Sequence, residues 1–192
     1  TGITSGTPSK ILFGAGVYFH GVEYSETVAP TEEAIKAAII GATQEGGTLT
    51  ITPEFFAPEL DGATVALMEL QQKVGETATM EVNFVEMTPE LLKMCVIGDD
   101  AASTDFEGFN EITSRARITE NDYIENLAYV GKKTDGSPII IIFDQAICTS
   151  GLEVEGKNKE AGVFTGTFEC VADVSPEADT LPWHILYPTP TA

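Results

Sequence analysis

The stretch TATMEVNF, Thr77–Phe84, alternates without a break. Ala78, Met80, Val82 and Phe84 fall on one side of an extended chain, and Thr77, Thr79, Glu81 and Asn83 on the other. Successive side chains of a strand point to opposite faces, so this period of two reads as a strand with one face in a core and one in water. Downstream, TPELLKMCVIG predicts a helix over about Pro89–Ile97. Thr88 caps it, Pro89 suits the first helical position, Glu90 complements the dipole, and Leu91, Leu92, Cys95 and Val96 form an apolar stripe before Gly98. Upstream, TLTIT (48–52) sets Leu49 and Ile51 against three threonines, and VFTGTFECVA (163–172) aligns Phe164, Phe168, Cys170 and Ala172. PIIIIFDQAI (138–147) is β-branched and apolar on both faces, as in a central strand covered twice over. KILFGAGVYFHGV (10–22) is β-rich with glycine interruptions, and TEEAIKAAI (31–39) carries a second helical pattern.

Strands joined by turns such as VGET and KTDGSP, with one well-marked helix, predict a mainly β chain: an antiparallel β-sandwich or small barrel with a flanking helix. No repeat or composition break divides residues 1–192, so one domain is expected, with a polar arm at 1–9 and a Pro-rich tail at 182–192. At 192 residues and 43% hydrophobic content, a sizeable core is within reach. No apolar run approaches the roughly 18 residues that a membrane helix needs, and the start TGITSGTPSK has neither the basic nor the apolar region of a signal peptide.

Thirty acidic residues against ten basic ones give a formal charge of -20. Duplex DNA carries about one negative charge per 1.7 Å, so such a surface repels nucleic acid. The two readings of this charge are a solvated surface and a wall that DNA passes without sticking. Cys95, Cys148 and Cys170 show no C-x-x-C spacing, which argues against a disulfide framework and against zinc. Buried free thiols, in a chain made in a reducing cytosol, are expected.

The search for chemistry finds little. GATQEGGT (41–48) has the spacing of a phosphate loop, but Gly47 stands where the lysine belongs, Glu45 repels anions, and a strand rather than a helix follows. A glycine-bracketed turn or bulge is the expected alternative. His20 and His184 are too far apart in sequence to form an H-x-x-x-H pair, and no G-x-S-x-G elbow occurs. Apolar neighbours would raise, not lower, the pKa of a Cys95 thiol. Acid pairs such as Glu32–Glu33 and Glu153–Glu155 are abundant enough to arise by chance, and GDDAASTDFEG (98–108) lacks the register of an EF-hand. No catalytic residue, metal or cofactor is therefore assigned, and an enzyme is not expected.

The order of the segments SKILFGAGVYFHGV, IGATQEGGTLTITPEF, TATMEVNFVEMTPELLKMCVIG and PIIIIFDQAICTSGLEVEGKNKEAGVFTGTFECVA resembles the major tail tube proteins of long-tailed bacteriophages. The resemblance spans roughly Lys10–Pro188. It implies a β-sandwich or small barrel with one flanking helix, closing as hexameric rings that stack into a hollow tube for DNA delivery. It also implies a long protruding hairpin between rings, here TLTITPEFFAPELDGATVALMELQ, with Pro53, Glu54, Phe55, Phe56, Pro58, Asp61 and Gly62 near its tip. The polar row Thr77, Thr79, Glu81 and Asn83 is the candidate lumen face. The partners implied are further copies of the chain, a tape-measure protein in the bore, and terminator and distal-tail or baseplate proteins at the ends. DNA would pass without sticking, and no membrane contact is implied. The setting is a virion tail made in the bacterial cytoplasm, and the chain length favours a non-contractile tail. A competing reading is a carbohydrate- or receptor-binding module using Trp183 and Tyr187, and a third is a hydrolase with a carboxylate pair.

Overall fold

The computed structural model describes the chain apart from residues 1, 3, 5, 6, 8, 9, 24–31, 59–64, 66, 157, 160, 175–179 and 189–192. The elements run β1 (Leu12–Phe19), α1 (Glu32–Ala37), β2 (Thr43–Phe56), β3 (Gln72–Phe84), α2 (Pro89–Cys95), β4 (Gly98–Ala102), β5 (Asn110–Ser114), β6 (Ile124–Lys133), β7 (Pro138–Cys148), β8 (Val154–Glu155), β9 (Val163–Cys170) and β10 (Trp183–Leu186). All strand pairs are antiparallel. The main sheet follows the order β1-β6-β7-β9-β3-β2, with β10 added to β7 and β8 to β9, and β4–β5 is a separate two-stranded sheet.

The expected mainly β architecture is present, with α2 at its flank and open sheets; among the described residues no barrel closes. The two ends of the main sheet nonetheless approach each other. Ile40 N–H donates to Tyr18 O at 3.1 Å and His20 N–H to Ala38 O at 2.9 Å, so the segment leading into β2 is stitched to β1. Gly47 of β2 lies under Tyr18: a Cβ there would sit 2.3 Å from the Tyr18 hydroxyl and 2.3 Å from Glu81 O. That approach requires glycine, which explains one residue of GATQEGGT. Glu45 and Gly46 have φ of 63° and 72° inside a register shift between Thr43 and Gly47. The motif is a bulge at the start of a strand, as its failure as a phosphate loop suggested.

The core forms on one face of the curled sheet. Ala78, Val82 and Phe84 are fully buried, Met80 nearly so, and they pack with Phe143 of β7, Leu127 of β6, and Phe164 and Phe168 of β9. Phe84 stacks on Phe164 at 5.6 Å and meets Phe168 edge-on at 6.4 Å. The alternation read from TATMEVNF is therefore the observed one. β7 is central and covered on both faces as expected: Ile141 and Phe143 enter the core, while Ile140 and Ile142 line an apolar hollow of about 370 Å³ on the opposite face, beside Ile35 of α1.

α2 starts as the sequence predicts. The Thr88 hydroxyl accepts from Leu91 N–H at 3.1 Å, Pro89 occupies the first turn, and Leu91 and Cys95 are buried. It ends earlier than expected, because Val96 is already extended (φ -125°, ψ 136°). Gly98 is not its stop. It opens β4, where a Cβ would lie 2.6 Å from Thr113 O, so it serves the close pairing with β5. Ala172 lies beyond β9 and is exposed, outside the row assigned to it. Trp183–Leu186, read as part of a tail, form β10 against Ile140–Phe143.

Val82→Asp is expected to lower stability by about 2–5 kcal/mol, the usual cost of an unpaired charge in a core. Glu81→Gln, one residue along on the exposed face, should stay within about 0.5 kcal/mol. Chemical denaturation of both proteins decides this; equal midpoints would overturn the register of β3.

Candidate functional site

β3 pairs with β9 only over Thr79–Phe84, yet continues against β2 as far as the pair Phe56–Gln72. The outer halves of β2 and β3 thus form a two-stranded ribbon reaching past the rest of the sheet. The tip expected at Pro53–Gly62 needs correction in detail. Pro53, Glu54, Phe55 and Phe56 lie within β2 itself, facing Glu76, Gly75, Lys73 and Gln72. Pro58 follows the strand and is exposed, while Asp61 and Gly62 lie outside the described residues. Pro53 has no N–H to donate, which an edge strand such as β2 tolerates.

The outer ribbon exposes large apolar side chains among polar ones such as Glu54, Gln72 and Lys73. Phe55 is 65% exposed and Phe56 54%. A register shift between Glu54 and Phe55 leaves Val74 without an opposite residue, and Val74, Val65, Leu67 and Met68 are exposed as well. The two aromatic rings therefore do not fold back on the core. An isolated two-stranded ribbon is marginally stable in water. Here Trp183 of β10 donates its indole N–H to Glu76 Oε1 at 2.6 Å, and Lys73 pairs with the same carboxylate. Hydrogen bonds from Lys73 and then Trp183 hold Glu76 below the usual carboxylate range.

The second candidate surface is the outward row of β3. Thr77 and Glu81 are exposed, Thr79 and Asn83 partly so. Residues directly opposite in an antiparallel pair share a face. The register therefore adds Thr48, Thr50 and Thr52 from β2, and Thr165, Thr167 and Glu169 from β9. Thr165 donates to Asn83 Oδ1 at 2.8 Å. Among these residues the charged side chains are Glu81 and Glu169, and none is basic. The structure thus brings the four predicted lumen residues onto one continuous polar surface.

The remaining candidates are accounted for by packing and pairing. His184 Nε2 lies 3.1 Å from Asp144 Oδ2, while His20 is half-buried, which lowers its pKa. GDDAASTDFEG supplies β4 and the turn of the β4–β5 hairpin, which was not expected from the sequence. Its Asp99 pairs with Arg115 at 2.6 Å and its Asp100 with Lys93. Arg115 also holds Asp122, locking the hairpin to the turn at Glu120–Asp122. At the hairpin's end Phe106 and Phe109 meet edge-on at 6.4 Å, each 68% exposed. Among the described residues no three His, Cys, Asp or Glu side chains come together as a metal set, and no helix is long and apolar enough to cross a membrane. Trp183 is partly buried with its N–H engaged, so it is not a free rim aromatic; Tyr187 is 72% exposed. Cys95 and Cys170 are buried as expected, whereas Cys148 is only partly covered. No family model matches the chain, and no curated protein matches it.

The double variant Phe55→Ser/Phe56→Ser should unfold in urea within about 1 kcal/mol of the parent, since both rings are already in water. A larger loss would mean that the rings pack within the subunit. The Glu76 tether titrates. Because its folded pKa is depressed, its contribution is complete above the unfolded carboxylate pKa and is lost as pH falls through the folded value. The parent and Glu76→Gln should therefore differ at neutral pH and converge as pH falls through the depressed folded value; a gap that persists in strong acid would contradict the tether.

Proposed function

We propose that the chain is a structural, self-assembling subunit of a hollow tail tube. Copies close into rings, and rings stack through the β2–β3 ribbon. The observation that carries this reading is the exposure of Phe55, Phe56 and Val74 on the outer ribbon, with Met68 exposed just before β3, the ribbon being braced by the Trp183–Glu76 bond. Aromatic residues placed in water on a stiffened projection are characteristic of partner contacts. The order of sequence segments supports the same assignment. So does the open main sheet, since strands left at a sheet border are protected when neighbouring subunits cover them.

In this reading the row Thr77, Thr79, Glu81 and Asn83, widened by the β2 and β9 threonines, faces the bore. A threonine- and glutamate-bearing wall without lysine or arginine makes no ion pairs with phosphate, so DNA moves past it without being held. The formal charge of -20 per copy makes the whole conduit acidic. The tape-measure protein inside and the terminator and distal proteins at the ends are the partners this role requires. A glycan-binding role finds less support, because the indole N–H that would face a sugar is taken by Glu76.

Negative-stain microscopy of the concentrated protein should show rings or tubes, with added salt favouring them by screening repulsion between acidic subunits. Phe55→Ser/Phe56→Ser should remove stacking while leaving the subunit folded. A protein that stays monomeric at every salt and protein concentration would overturn the assignment.

A further inference from the structure

A cleft of about 820 Å³ opens between the end of α2, the β4–β5 hairpin and the end of β7, and its wall includes both Cys95 and Cys148. Cys95 is the last residue of α2 and is 3% exposed; Cys148 is the last residue of β7 and is packed against the same core. The two thiols share this wall and perturb each other's ionisation. Cys148 Sγ also lies 3.5 Å from Ser150 Oγ and 4.0 Å from Gly151 O. Ser150 is itself fixed by the Thr167 N–H at 3.0 Å. The charged group on the cleft wall is Arg115, whose guanidinium is occupied by Asp99 and Asp122.

We propose that Cys148 and Cys95 form a thiol-exchange site that takes a low-molecular-weight disulfide from the cleft and closes into a disulfide joining α2 to β7. The two cysteines have different roles. Interaction with the Cys95 thiol favours the Cys148 thiolate and lowers its pKa, while the same interaction and burial push Cys95 up. Cys148 is partly exposed on the cleft wall whereas Cys95 is 3% exposed, so Cys148 is the attacking sulfur. Its thiolate, having released its proton to solvent, attacks one sulfur of the external disulfide. A Cys148 mixed disulfide forms and one small thiolate leaves. Capping Cys148 removes the negative charge that held the Cys95 proton. That proton passes to the departing small thiolate as Cys95 attacks Cys148 Sγ. Two protein thiols are oxidised, and one external disulfide is reduced to two thiols. Cys170 stays out of the exchange: it is buried, and burial with nearby acids pushes its pKa up to about 12.

The test uses the folded full chain and glutathione disulfide at neutral pH, read by intact mass and peptide mapping. The expected product has lost two hydrogens, carries no glutathione, and joins the Cys95 and Cys148 peptides. Cys95→Ser should stop at one glutathione on Cys148. Cys148→Ser should leave Cys95 unmodified. In the parent, iodoacetamide should label Cys148 at least about tenfold faster than Cys170. The pH midpoint of that labelling should lie below the free-thiol value of about 8.5. No reaction, a parent that halts at the mixed disulfide, or a Cys148→Ser variant whose Cys95 reacts at the parent's rate would overturn the proposal.

Discussion

The row Ala78, Met80, Val82 and Phe84 is the constraint on which the rest of the molecule depends. β3 is the strand through which the protruding ribbon is joined to the body of the sheet: β9 binds one border of its inner half and β2 follows the other along its whole length. Its buried row fixes the register, because a slip of one residue would turn Glu81 and Asn83 inward and the core outward. With the register fixed, the outward threonine face and the direction of the outer ribbon follow. The Tyr18–Gly47 contact adds a second restraint by bringing β1 over the start of β2.

Elements with a strict period were legible in the sequence. β3 and β9 alternate cleanly, and α2 announces itself through Thr88 and Pro89. β6 was not legible, for a physical reason. Asn126 sits at φ 49°, so Ile124 and Leu127, three residues apart, both reach the core and the period of two is broken. β10 was hidden by its flanking prolines and by its short length; its pairing with β7 is a long-range choice that local pattern does not encode. The β4–β5 hairpin is masked by its acids, which carry no apolar alternation; Asp99 and Asp100 are engaged by Arg115 and Lys93, residues outside the strand.

The candidate surfaces divide in the same way. The polar row on β3 could be read from alternation alone. The exposure of Phe55 and Phe56 could not, since only the pairing of β2 with β3 beyond the reach of β9 shows that no core is near them. Trp183 stands out in the sequence as a candidate binding residue, but its role as a tether to Glu76 depends on β10 lying beside the ribbon. Cys95 and Cys148 reach one cleft wall from the ends of two elements, 53 positions apart in the numbering, and neither carries a local motif.

Under the proposed function, stiffness, charge and an apolar projection belong to a subunit whose outer ribbon a neighbour would complete. A cryo-electron microscopy reconstruction of whatever polymer the full-length protein forms tests this most directly. The expected result is Phe55 and Phe56 buried against an adjoining subunit, with Thr77, Thr79, Glu81 and Asn83 lining the bore. A polymer in which both rings remain in water, or one in which that polar row faces outward, would contradict it.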